Sequence, residues 1–98
     1  MDRDAVLERL RAHEAELKAM GVARLSLFGS VARGEAGPES DVDVAAEFDR
    51  ARPFGLTQFV ALEERLSELL DTRVDLVGEP IRKERFRARV DRDRVHVF

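Results

Sequence analysis

Two aspartates, Asp41 and Asp43, are separated by one residue at the start of a predicted β-strand. Side chains two positions apart on a strand leave the same face, with Cα atoms about 6.5–7 Å apart. Both carboxylates therefore share one face, while Val42 and Val44 point into the core. Two carboxylates this close repel each other unless a cation lies between them. Mg²⁺ is a suitable cation for this position, because it binds to proteins through only one or two carboxylates. The alternative is a pair of turn-capping aspartates after Ser40.

A glycine-serine pair, Gly29-Ser30, follows an earlier predicted strand and opens a short helical turn. Free backbone N–H groups and a hydroxyl at such a position can cradle a phosphate, and glycine allows the phosphate to approach the backbone. Arg33 and Gly34 follow at a distance that puts a guanidinium beside the same anion. The pattern is not a Walker loop, because residues 35–36 are Glu-Ala where Lys-Ser/Thr is required. An ordinary turn is the alternative.

A third carboxylate, Asp75, lies on a later predicted strand between Val74 and Leu76. The two apolar neighbours would point into the core, which turns Asp75 to the opposite face. If this strand lies beside the strand at 41–48, the three acids could bind two divalent ions. Such ions would stabilise the attacking and the leaving oxygen of an in-line phosphoryl displacement. The alternatives are an exposed strand aspartate or an ion-pair partner for Arg73 or Arg82.

The elements that must position these side chains are predicted from hydrophobic periodicity and from turn residues. We expect helices over Asp2–Met20, over 59–70 and from Pro80 onward, strands at 23–28, 41–48 and 73–77, a short edge strand at 95–98, and loops at 35–40 (with Gly37-Pro38) and 50–55. His13 lies on the apolar stripe of the first helix and is expected to pack there. This order predicts an α/β or α+β two-layer fold, and we expect a single domain over residues 1–98.

Composition narrows the class of protein further. The chain has 98 residues, 44% hydrophobic and 38% charged, which is typical of a soluble globular protein. No apolar run is long enough to cross a membrane, and the absence of cysteine excludes disulfides, thiolate catalysis and Cys-based zinc sites. We therefore expect a cytoplasmic protein. A chain of this size has no room for a separate substrate domain, so a bulky second substrate must be met on an open surface.

Basic residues are concentrated near the C-terminus. Residues 82–94 carry seven basic and three acidic groups, net +4, whereas residues 1–81 carry ten basic and seventeen acidic groups, net −7. This stretch is either a solvated helix face or a patch for a polyanion or an acidic partner. Phe86 is the one aromatic residue of this stretch, and the whole chain has no Tyr or Trp. Because bases need aromatic side chains to stack on, nucleic acid is not the expected partner.

Together, residues 28–34 (FGSVARG), 40–44 (SDVDV) and 74–77 (VDLV) resemble the minimal nucleotidyltransferases of the DNA polymerase beta superfamily. The shared signature is Gly-Ser, a spacer, Asp-x-Asp and a third acid on a later strand. The resemblance spans about residues 25–97. It departs at Asp71-Thr72, where a glycine would more usually end the helix.

The resemblance implies a small mixed β-sheet backed by helices, a nucleoside triphosphate (ATP) as donor, two Mg²⁺ ions, and transfer of a nucleoside monophosphate with release of pyrophosphate. The implied roles are phosphate binding by Gly29, Ser30, Arg33 and Gly34, and metal binding and catalysis by Asp41, Asp43 and Asp75. Glu47 shares the strand parity of the two aspartates and is a supporting candidate only.

The resemblance also implies a partner, since many stand-alone members resemble antitoxins that add AMP to a tyrosine of a HEPN-domain protein. Two alternatives stay open. The first is a non-catalytic binding module that neutralises its partner by occlusion. The second is transfer to a small molecule such as an aminoglycoside; known domains of that type carry an extra acceptor-binding part, for which we expect no room in this chain. A homo-oligomer is also open.

Overall fold

The computed structural model describes residues 2–37 and 39–98, which form a four-stranded sheet and five helices. In chain order the elements are α1 (Arg3–Ala12), α2 (Glu14–Ala19), β1 (Val22–Phe28), α3 (Gly29–Ala32), β2 (Val42–Phe48), α4 (Leu56–Leu70), β3 (Val74–Glu79), α5 (Glu84–Asp93) and β4 (Val95–His96).

The sheet has the strand order β3-β2-β1-β4 and mixes both directions of pairing. β1 runs antiparallel to β2 and to β4, whereas β2 and β3 are parallel and are connected through α4. β4 lies at the edge of the sheet, as expected, and the Val97 N–H continues the pairing by donating to the Leu25 carbonyl at 2.8 Å. The predicted small mixed sheet backed by helices is confirmed.

The two faces of the sheet carry cores of different size. One face packs against α1, α2 and α4 in a single large cluster that includes Leu10, Leu17, Leu27, Val44 and Leu66, all fully buried. The other face is covered by α5 over a smaller cluster of Phe28, Ala45, Ile81 and Val90. Most of the hydrophobic stabilisation therefore comes from the first face, and the second face is left partly open for polar side chains.

All three predicted helices differ from the structure, and α4 begins at Leu56 rather than at residue 59. The first helix is interrupted at His13, where α1 ends and α2 begins, and the half-buried imidazole Nδ1 lies 3.2 Å from Glu16 Oε1. The last helix begins at Glu84, because Pro80 lies in the preceding loop after a cis Glu79–Pro80 bond. β3 also continues to Glu79, two residues beyond its predicted end.

The remaining loops and the C-terminus of α4 complete the fold. In the loop predicted at 35–40, the Gly37 N–H donates to Ser40 Oγ at 3.0 Å, and Pro38 lies outside the described residues. Asp71 ends α4 with a left-handed φ of 50°, in the place where glycine would be more usual. No helix within residues 2–37 and 39–98 combines the length and the apolar composition needed to cross a membrane.

Candidate active site

Parallel pairing of β2 and β3 places two of the predicted aspartates side by side. Asp43 and Asp75 are direct Cα partners in the ladder, and neighbouring strands lie about 4.8 Å apart. Val42 and Val74 precede them on their strands and are 1% and 4% exposed, because they face the large core. The alternation of buried and polar positions therefore turns both carboxylates to the open face of the sheet.

The third aspartate, Asp41, lies immediately before β2 and is half-exposed. Its Oδ2 atom is 4.0 Å from Arg73 Nε, too far for a hydrogen bond but within ion-pair range. Burial, followed by repulsion from Asp75 and Asp41, raises the pKa of Asp43 above its usual value, while Arg33 acts in the opposite direction. The three carboxylates therefore form one electrostatic cluster, centred on Asp43.

Gly29 lies directly against this cluster. Its predecessor Phe28 is the Cα partner of Asp43 in the β1–β2 ladder. Gly29 has a φ of +74°, and a Cβ atom added there would lie 2.2 Å from Asp43 Oδ2. Only glycine satisfies both the left-handed backbone and the close approach of the carboxylate. Ser30 follows, half-buried, as the second residue of α3.

Arg33 is held by two carboxylates on the rim of the cluster. Its Nε donates to Glu35 Oε2 at 2.9 Å, and its Nη1 donates to Asp93 Oδ2 at 2.7 Å. These hydrogen bonds raise the pKa of Arg33. Its Nη2 amino group makes no hydrogen bond to residues 2–37 or 39–98, which leaves donors for a further anion. Gly34 follows with a φ of +73°, and no atom in the described part of the chain lies within 4 Å of where its Cβ would be.

Asp93, the last residue of α5, is a residue that sequence reasoning missed. Its side chain is only 7% exposed and accepts hydrogen bonds from Arg92 and Arg33. Burial alone would raise the pKa of Asp93, but those two hydrogen bonds outweigh burial and lower it. No local pattern distinguishes Asp93 from Asp91, since its partner is 60 residues away in sequence and meets it only when α5 docks on the sheet.

The supporting candidate Glu47 lies away from the cluster. It is four residues along β2 from Asp43, a distance of about 13 Å on a strand. There Glu47 is exposed, and with Glu79 it lines a separate open cavity of about 410 Å³. The structure therefore brings Gly29, Asp43 and Asp75 together, with Asp41 and Arg33 beside them, and places Glu47 at the opposite end of the sheet.

The chemistry of the donor set fits a hard divalent cation. Carboxylate oxygens are the ligands that Mg²⁺ prefers, and it completes its shell with water and substrate phosphates. Within residues 2–37 and 39–98, no three acidic or histidine side chains converge tightly enough to enclose an ion on their own. Such a site would therefore need oxygen atoms from a substrate as well. The raised pKa of Asp43 fits this need, because a cation would offset the repulsion that causes it.

A second polar network fixes α5 and β4 to the sheet beyond the aspartates. Arg94 donates to both carboxylate oxygens of Glu79, at 2.7 and 2.8 Å, and to Ser26 Oγ at 3.0 Å. Ser26 is only 1% exposed, so its hydroxyl needs this partner. The ion pair with Glu79, which is made through two hydrogen bonds, raises the pKa of Arg94 above its usual value. This network accounts for one arginine of the basic 82–94 stretch as structural.

The comparisons with known proteins agree with this geometry. The chain is 42% identical to the protein adenylyltransferase MntA of Thermococcus cleftensis over 89 residues, which cover 90% of this chain and 88% of that protein. A solved structure described as a minimal nucleotidyltransferase superposes with a TM-score of 0.80 at 36% identity, covering 97% of this chain and 95% of that one. A toxin–antitoxin crystal structure with AMP-PNP, 21% identical, has the same fold with a TM-score of 0.70 over all of this chain and 73% of that one. The model of the nucleotidyltransferase domain family matches residues 10–96. The chain therefore belongs to the nucleotidyltransferase domain family and is a nucleotidyltransferase.

Proposed function

We propose that this chain, acting as one domain, transfers AMP from ATP to a tyrosine hydroxyl of a HEPN-type partner protein, as an antitoxin. The observation that carries the proposal is the contact of the Gly29 backbone with Asp43, which is paired with Asp75 across neighbouring strands. A glycine turn against paired carboxylates suits a triphosphate with its divalent cation. The similarity to a protein named adenylyltransferase MntA supports AMP and a protein acceptor.

Each of the predicted site residues has a proposed role in this reaction. Asp41, Asp43 and Asp75 would hold Mg²⁺, which supplies charge neutralisation at the reacting phosphate. Gly29 and Ser30 would contact the phosphates through backbone N–H groups and the hydroxyl. Arg33 would offer its free Nη2 to the same phosphates, and Gly34 would permit the turn that brings it there.

The transfer itself forms one bond and breaks another. The acceptor hydroxyl oxygen attacks the α-phosphorus, the bond from that phosphorus to the bridging oxygen breaks, and pyrophosphate leaves with the bonding pair. Asp75 would accept the hydroxyl proton, because it is exposed on the open face beside Asp43. The partly open face of the sheet suits an acceptor that is itself a folded protein.

The test uses labelled ATP, Mg²⁺ and a purified HEPN-type partner protein. We compare the wild type with Asp43→Ala and with Asp49→Ala, a control that lies beyond the end of β2. If the metal clamp contributes about 4 kcal/mol to the transition state, Asp43→Ala slows transfer about a thousandfold. Complex formation is measured on the same proteins and should persist. Transfer that survives Asp43→Ala would instead favour the non-catalytic binding module.

A further inference from the structure

The basic side chains of this protein fall into two groups. Of the ten in residues 1–81, all but Arg24 and Arg50 make a hydrogen bond or an ion pair within residues 2–37 and 39–98. Of the seven in residues 82–94, only Arg92 and Arg94 do so within residues 2–37 and 39–98. The other five are exposed: Arg82 and Lys83 precede α5, Arg85 and Arg89 lie one turn apart on one side of it, and Arg87 lies on another side; we call the five together the α5 basic face.

No carboxylate of residues 2–37 or 39–98 pairs with these five side chains. The rest of the chain has a net charge of −7 and could have supplied carboxylate partners for the face. Instead, the two acids at the end of α5 are occupied, since Asp91 pairs with Arg94 and Asp93 accepts from Arg33. A cluster of like charges left without partners repels itself, and an acidic ligand would relieve that repulsion.

The α5 basic face also borders the candidate active site. Asp93, one turn along α5 from Arg89, accepts a hydrogen bond from Arg33 at 2.7 Å, and Phe86 of α5 packs against Phe28, the Cα partner of Asp43. The face is therefore continuous with the place where an acceptor hydroxyl must arrive. A ligand on it would present its neighbouring residues to the aspartates.

We propose that the α5 basic face docks an acidic segment of the acceptor protein beside the tyrosine that receives AMP. This inference rests on the proposed function and specifies its acceptor. A protein segment is favoured over nucleic acid because the aromatic residue of α5, Phe86, packs edge-on against Phe28 with ring centroids 5.8 Å apart. It is half-buried and leaves α5 without an exposed ring for base stacking.

The experiment uses two fluorescent peptides of equal length, each with one tyrosine flanked either by glutamates or by glutamines. Binding is measured by anisotropy without ATP or Mg²⁺, at low and at physiological ionic strength. We expect the glutamate peptide to bind more tightly, with a preference that weakens as salt is added. Arg85→Ala with Arg89→Ala should weaken its binding about two- to thirtyfold, the range for two exposed charge pairs.

The matched control is Arg24→Ala with Arg50→Ala, which removes the same charge from two exposed arginines elsewhere and should leave binding nearly unchanged. Equal binding of the two peptides overturns the inference, as does an equal loss in both double variants.

A poly-dT strand that displaces the glutamate peptide and binds more tightly than that peptide would assign the α5 basic face to nucleic acid instead. Because binding is read without ATP, a protein that prefers the acidic peptide but transfers no AMP would refute only the proposed function. A protein that transfers AMP to both peptides equally, with no binding preference, would refute only the docking surface.

Discussion

Gly29→Ala tests the geometry of the site through a single methyl group. The new Cβ would lie 2.2 Å from Asp43 Oδ2, more than about 1 Å inside an ordinary C···O contact of 3.3–3.6 Å. Either the carboxylate or the turn must therefore move by about 1 Å. A misplacement of that size can slow an enzymatic reaction about a hundredfold. Alanine at a left-handed φ also costs about 1–2 kcal/mol of folding free energy.

The chain offers a matched control in Gly34→Ala. Gly34 has nearly the same φ, +73° against +74° at Gly29, but no atom of residues 2–37 or 39–98 lies within 4 Å of its added Cβ. Both variants should lose the backbone contribution of about 1–2 kcal/mol, and Gly29→Ala should lose more because of the clash. Urea unfolding measures the stability loss, and labelled-AMP transfer measures the rate. We expect transfer to fall far more in Gly29→Ala than in Gly34→Ala.

A double-mutant cycle isolates the contact with the carboxylate. When Asp43 is already alanine, its carboxylate oxygens are gone, so adding Gly29→Ala should cost only the backbone contribution and should match the stability loss of Gly34→Ala. A coupling free energy near zero between positions 29 and 43 would refute the reasoning. So would equal stability losses in the two glycine variants of the otherwise unchanged protein.

Three further predictions concern the acids of the site and the end of α4. In metal-free buffer, Asp43→Asn should unfold at a higher temperature than the wild type at neutral pH, because the raised pKa of Asp43 means that folding disfavours its ionised form. This advantage should shrink as the pH falls through the folded pKa towards the unfolded value of about 3.9, and a pH-independent difference would contradict it. Asp41→Asn should weaken Mn²⁺ binding in the presence of a non-hydrolysable ATP analogue, whereas Asp49→Asn should not. Equal calorimetric titrations of the two variants would remove Asp41 from the proposed metal site. Asp71→Gly should stabilise the protein by about 0.5–1 kcal/mol, since relief of left-handed strain exceeds the added chain entropy, and denaturant unfolding would detect the change.

The sequence was sufficient to predict those features of the site that depend on local periodicity. Alternation on β2 and β3 determined which faces Val42, Asp43 and Asp75 would occupy, and burial confirms the apolar side of that pattern. Gly29 was expected at a turn after β1, and its left-handed φ agrees. The pairing of Asp43 with Asp75 was only conditional, because strand order and register depend on how α4 packs and are not encoded in a local pattern.

The sequence did not predict three features of the structure, namely the break at His13, the loop position of Pro80 and the contact of Asp93 with Arg33. The apolar stripe of the sequence continues across His13, so periodicity alone predicted one helix where the structure has two. Proline is common in the first turn of helices, but Pro80 lies in the loop before α5. The contact of Asp93 with Arg33 could not be read from either segment, since it joins the end of α5 to the turn after α3.

The unequal cores on the two faces of the sheet have a consequence for local opening. α5 is anchored by only a small apolar cluster around Val90 and by polar contacts at its C-terminal end, the Asp93–Arg33 and Arg94–Glu79 ion pairs. Elements with few buried apolar contacts open at lower free energy than the global unfolding. The amides of α5 should therefore exchange with deuterium sooner than those of α4, whose apolar face lies in the large core, and added salt should widen that gap. The helix that borders the aspartates would then be able to detach and redock while the rest of the protein stays folded, so the open face of the sheet could admit the proposed protein acceptor without global unfolding.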